Sequence, residues 1–156
     1  MTHTEDPKEY RRFTSESLKQ KNMDLNYSIK SVRSSAVLTG SYVAGTVFGP
    51  RGINPDVDPV SNNQLLLYVN FTIGSLTSAE LKVEFSDDGS TYYQETSSSV
   101  SSGTSTDSLV THTFTATGNY RLAIPLADRY IKVSAKGTGT VTNSLLAIDA
   151  IVAVRP

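Results

Sequence analysis

From Leu81 to Ser86 apolar and polar residues alternate, with Leu81, Val83 and Phe85 set against Lys82, Glu84 and Ser86. A period of two belongs to a strand with one dry face and one wet face. Asp87-Asp-Gly-Ser90 follows as a turn signal. Gly89 is free to take positive φ, and the aspartates can bond the turn backbone. Thr91 to Tyr93 starts the return strand, so the pattern predicts a hairpin over Leu81–Glu95. The same alternation recurs at Ile131, Val133 and Ala135 against Lys132, Ser134 and Lys136, and Gly137-Thr-Gly139 then reads as a turn. Leu81, Val83, Phe85, Ile131 and Val133 are the expected core residues.

Other segments follow the same rule less cleanly. Ala36–Leu38 and Tyr42–Phe48 are strand candidates, broken by Gly40 and Gly45. Residues 48–63 carry Pro50, Pro55 and Pro59 with Gly49 and Gly52, a density that predicts a long irregular loop. Gln64–Ile73 reads as a long strand, and its opening Leu65-Leu-Leu67 resembles one buried on both faces. Ser97–Ser108 is a Ser/Thr/Gly tract and reads as a mobile loop. Leu109–Thr117 alternates weakly, Tyr120–Ile124 stops at Pro125, and Val141–Val154 forms a final segment with a break near Thr142–Ser144. About eight strands with frequent turns predict an all-β, antiparallel β-sandwich of jelly-roll type.

Residues 1–35 differ in kind. Glu5, Asp6, Lys8, Glu9, Arg11, Arg12, Glu16, Lys19, Lys21, Asp24, Lys30 and Arg33 crowd this stretch, and apolar residues are sparse. Pro7 suits the first turn of a short helix, and Tyr10, Phe13 and Leu18 would give it a thin apolar stripe. A helix of that length is marginal alone in water. The expected organisation is a charged N-terminal arm over 1–35, partly helical or extended, ahead of a sandwich over 36–156. A frayed polar terminus is the competing reading of the arm.

Composition narrows the chemistry. The 156 residues fit one domain, and the chain has no cysteine, which excludes thiolate catalysis, disulfides and Cys-ligated zinc. A formal net charge of −1 gives no electrostatic case for nucleic-acid binding. The longest apolar runs, Leu65–Val69 and Ala150–Val154, are strand-sized, so no membrane span is expected. Met1 leads into Thr-His-Thr-Glu-Asp-Pro, which lacks the basic start and apolar middle of a signal peptide. Synthesis in a host cytoplasm is the expectation.

No catalytic constellation stands out. The two histidines, His3 and His112, are far apart in sequence, and His112 reads as a half-exposed strand position. There is no Gly-x-Ser-x-Gly elbow and no phosphate-cradling glycine motif. Asp56 and Asp58 could offer oxygens to calcium, but a solvated loop explains them as well. Asp87 and Asp88 are explained by the turn. Tyr92 and Tyr93 are neighbours on a strand, so only one can face the core, and the outward one could stack on a sugar or pack on a partner. No catalytic residue, cofactor or metal is therefore expected.

Val83-Glu-Phe-Ser-Asp-Asp-Gly-Ser-Thr-Tyr92 resembles a hairpin, strand then Ser-x-Asp-Gly then aromatic, found in two settings. One is the galactose-binding-like, or discoidin-like, jelly roll, where a later strand reads much like Arg129-Tyr-Ile-Lys-Val133. The other is the small structural proteins of tailed bacteriophages. The resemblance spans about residues 64–154. It implies a jelly roll and a non-enzymatic virion structural protein that decorates or cements a capsid. Its partners would be itself, as a homo-oligomer with a trimer favoured, and other virion proteins such as the major capsid protein. Tyr10, Phe13 and Leu18 of the arm would make the contacts. The alternative is a carbohydrate-binding or adhesive module of a tail, fibre or secreted assembly. Discoidin-type cysteines and sugar-site aromatics have no counterpart here.

Overall fold

A computed structural model describes residues 29–53, 64–126 and 129–153. The expected N-terminal helix with Tyr10, Phe13 and Leu18, as well as His3, Asp56 and Asp58, lies outside the described residues. Among the described residues the fold is all-β apart from one helical turn. In order the elements are β1 (Lys30–Ala36), β2 (Val43–Ala44), α1 (Pro50–Ile53), β3 (Gln64–Thr72), β4 (Leu76–Ser86), β5 (Tyr93–Gln94), β6 (Thr96–Ser101), β7 (Thr104–Leu109), β8 (His112–Phe114), β9 (Gly118–Pro125), β10 (Tyr130–Gly139) and β11 (Leu145–Ala153).

The strands form antiparallel sheets. A four-stranded sheet has the order β1-β11-β3-β9. A second sheet runs β2-β10-β4-β5, with β8 also on β4. β5 and β8 share one edge of β4, opposite Glu84–Phe85 and Ala79–Leu81 respectively. The pairing is nested: β1 with β11, β2 with β10, β3 with β9, and β4 with β5 and β8.

One apolar cluster joins the two sheets. Leu65, Leu67, Val69 and Phe71 of β3 and Leu146, Ile148, Ala150 and Val152 of β11 meet Leu81, Val83, Ile131, Val133 and Ala135 of β4 and β10. Each fully buried Leu or Ile contributes about 1.5–3 kcal/mol. Phe114 of β8 packs between Phe71 and Tyr120, with ring centroids 6.2 and 4.6 Å away. The predicted inward residues of β4 and β10 are buried, but Phe85 is only partly so and packs at the margin of the cluster.

Four expectations need correction. The sheet starts upstream of Ala36, because Lys30–Ala36 is already a strand, with Val32 as its buried residue. The proline-rich segment contains the helical turn α1, and Phe48 bridges Ile131 just before it. Ser97–Ser108 is no loop but most of the paired strands β6 and β7, reversed at Ser102 and Gly103, both at positive φ. Gly137 and Gly139 do not turn the chain. Gly137 lies within β10, where a Cβ would come 2.8 Å from Leu76, and the register shifts at Gly139. The turn comes later, where Ser144 donates to the Val141 carbonyl and accepts from the Leu38 N–H.

Candidate functional site

The inward residues of the two sheets are alike, and the outward ones are not. On β4 and β10 the outward positions from Ser78 to Ser86 and from Lys132 to Lys136, Ser78, Glu80, Lys82, Glu84 and Ser86 with Lys132, Ser134 and Lys136, are all polar, with the exposed Tyr130 at their margin opposite Ser86. They form a bonded lattice. Glu84 is only 9% exposed, and its Oε2 sits 3.2 Å from the Lys82 ammonium and 3.4 Å from that of Lys132. Ser134 also donates to it. Glu80 pairs with Lys136 at 3.2 Å and accepts a 3.0 Å hydrogen bond from the Tyr42 hydroxyl. Lys82 and Lys136 lie 5.0 and 4.9 Å from the Tyr42 ring centroid, and Lys132 lies 4.1 Å from that of Tyr92. Burial, the hydrogen bond to Glu80 and the charge of Glu80 push the Tyr42 phenol up to about 12. A carboxylate this enclosed is tolerable because cations and a hydroxyl replace its water.

On the four-stranded sheet the outward residues form cross-strand rows. Leu66 lies beside Ile151 and Ala123, Tyr68 beside Asp149 and Arg121, Asn70 beside Ala147 and Asn119, and Thr72 beside Leu145. Across β3, β9 and β11 two charges, Asp149 and Arg121, face outward with the polar Gln64, Asn70, Thr72 and Asn119 among the apolar residues, and the edge strand β1 adds Lys30, Ser31 and Arg33. Tyr68 is 41% exposed and Leu145 42%. No hydrogen bond or ion pair among the described residues ties these side chains together.

The third surface is the β6–β7 hairpin. All its side chains are exposed, including Val100 and Leu109. It leaves the sheet between β5 and β8, and its base is closed by the Val110 N–H on the Glu95 carbonyl and the Gln94 amide on the Val110 carbonyl. A two-stranded ribbon with no buried face is marginal in water.

The residues singled out from sequence fall as follows. Asp88 organises its turn: its Oδ1 accepts from the Ser90 and Thr91 N–H groups, each at 2.8 Å, and from the Ser86 hydroxyl. The Thr91 and Ser90 amides and that hydroxyl hold its carboxyl at about 2. Neither tyrosine of the pair enters the core: Tyr93, opposite Phe85, is 70% exposed, and Tyr92 lies under Lys132 on the outward face. His112 is half-buried opposite Leu81. Among the described residues no three His, Asp or Glu side chains gather closely enough to hold a metal ion. A cleft of about 300 Å³ beside α1 is lined by Gly49, Pro50, Arg51, Arg129 and Tyr130, with no carboxylate or nucleophile among these residues. Neither sheet face was legible as a site, because cross-strand rows exist only once the register is known. No protein-family model and no curated protein matches this sequence.

Proposed function

We propose that the chain is a non-enzymatic structural protein of a bacteriophage virion, decorating or cementing the capsid through its N-terminal arm and the surface of a jelly-roll sandwich. The observation that carries this reading is the set of apolar residues, Leu66, Tyr68, Ala123, Leu145, Ala147 and Ile151, set among polar ones on the outward face of the four-stranded sheet, beside β1, the strand into which the arm runs. A solvent-facing sheet ordinarily carries polar residues there, as the second sheet of this molecule does.

The finer fold assignment draws support from the strand order. With the separate β6–β7 hairpin set aside and β5 and β8 taken as one interrupted edge strand, eight strands remain, and their nested pairing matches a long hairpin rolled into two sheets. The partners in this reading are further copies of the chain, with a trimer favoured, and the major capsid protein. The location is the virion, after synthesis in the host cytoplasm. Surface contact requires neither cofactor nor metal.

The carbohydrate-binding alternative rests on Tyr93, 70% exposed, because lysine ammonium groups occupy the approach to the Tyr42 and Tyr92 rings. The test is native mass and co-sedimentation with purified tailed-bacteriophage capsids, for the full chain and for a chain lacking residues 1–28. A cut at Ser35 would destroy β1 and cannot be used. The full chain is expected to be oligomeric and to sediment with particles, and the shortened chain to fold and do neither. Unchanged assembly by the shortened chain would sink the arm.

A further inference from the structure

We infer that the outward face of the four-stranded sheet is the seat of residues 1–28, with Tyr10, Phe13 and Leu18 covering Leu66, Ile151 and their row neighbours. The inference rests on the reading of that segment as a contact arm and adds where the arm lands.

Position is the first argument. β1 starts at Lys30, opposite Ala150, so the segment joins the sheet next to Ile151, at the row that also holds Leu66 and Ala123. Ile29, the joining residue, is 65% exposed and continues the apolar surface outward. The 28 residues can span roughly 90 Å when extended. Four strands spaced about 4.8 Å apart make a face only about 15 Å across. The segment can therefore cross its own face or that of a neighbouring copy.

Composition is the second. The face offers Leu66, Tyr68, Ala123, Leu145, Ala147 and Ile151, and the segment brings apolar side chains that no contact within its own short length can bury. Charge is the third. Asp149 and Arg121 flank Tyr68 in the middle row, one of each sign. The segment carries both signs in Glu5, Asp6, Lys8, Glu9, Arg11 and Arg12, so opposite charges can fix its register over the face. The lattice of the other sheet lacks such a role, because its charges already satisfy one another.

The experiment uses the full chain with Phe13 replaced by photoreactive benzoylphenylalanine, prepared as a mixture of isotopically light and heavy protein. Links from position 13 are expected on Leu66, Tyr68, Ala123 or Ile151. Ile151→Lys, and separately the more exposed Ala123→Lys, should lower that yield several-fold with the circular dichroism unchanged, while Lys136→Ala leaves it intact. Links concentrated on β4, β10 or the hairpin, or a yield indifferent to both face variants, would overturn the seat. Native mass separates the two readings. A monomer with light–light and heavy–heavy links to this face keeps the seat and removes the inter-subunit arm. An oligomer linked elsewhere keeps the arm and removes the seat.

Discussion

The two sheets share one core yet present opposite outer surfaces. On β4 and β10 every outward residue from Ser78 to Ser86 and from Lys132 to Lys136 is polar, and the charged ones are paired in a lattice centred on Glu80 and Glu84. On β3 and β11 the outward set includes Leu66, Tyr68, Leu145, Ala147 and Ile151. The first face has completed its interactions within the chain. On the second no hydrogen bond or ion pair among the described residues joins the outward side chains, and its apolar residues gain from burial against a further element of the chain or a partner. A fold of this kind can thus hold stability and contact on separate layers, so that one can be altered without the other.

The yardstick for breaking that division is the core on which both faces depend. Phe71→Ala should cost about 3–5 kcal/mol in denaturant unfolding, since Phe71 is fully buried and packs on Phe114. A loss near 1 kcal/mol would mean the sheets are not packed as described. Next is Glu84→Ala, expected to cost about 1.5–3 kcal/mol by removing the shared acceptor of Lys82, Lys132 and Ser134, with native mass unchanged. Lys136→Ala on the same face removes only a half-exposed pair and should cost about 0.2–1 kcal/mol. Ile151→Lys on the other face is the contrast: within about 0.5 kcal/mol in stability, but with assembly lost. If Ile151→Lys destabilises as Glu84→Ala does, the division between the layers fails.

The smallest effect concerns the turn outside both faces. The carboxyl of Asp88 is depressed to about 2 in the folded chain, against an ordinary 3.8. Its folded state therefore prefers the ionised form. The stability it supplies is complete above the ordinary value and lost as pH falls toward 2. Asp88→Asn should be less stable than the parent in urea at neutral pH and converge with it in acid. A difference that stays constant across that window would show that the amide groups of Ser90 and Thr91 do not hold the charge.

Much of the core was readable because alternation reports burial on one side. Leu81, Val83, Ile131 and Val133 are buried as their spacing predicts, whereas the Leu65-Leu-Leu67 run, expected to be buried on both faces, buries only Leu65 and Leu67 and leaves Leu66 half-buried on the outer face. β1 was missed because a strand at a sheet edge with one buried residue, Val32, among Lys30, Ser31 and Arg33 has no period to detect. β6 and β7 were missed for the same reason taken further: with no side chain buried there is no hydrophobic alternation, and only the Ser102-Gly103 pair signalled the reversal. The lattice was invisible because Glu84 and Lys132 lie far apart in sequence and meet only through the β4–β10 register. The glycines of β10 misled because glycine marks either a turn or a crowded backbone, and Leu76 supplies the crowding.

The nested pairing also fixes an order of events. β11 lies between β1 and β3, so the four-stranded sheet lacks an interior strand until residues beyond Leu145 have been made. On the ribosome β1 must wait for its ladder partner β11 through the synthesis of every other described strand, with only the Thr46 N–H on the Val32 carbonyl to bond it meanwhile, while β4 and its neighbours on the second sheet emerge earlier. Closing so long a loop is slow, on the order of milliseconds to seconds for topologies ruled by distant contacts. Any premature stop before Leu145 would release a chain with two bare strand edges and its core open to water, a product prone to aggregate.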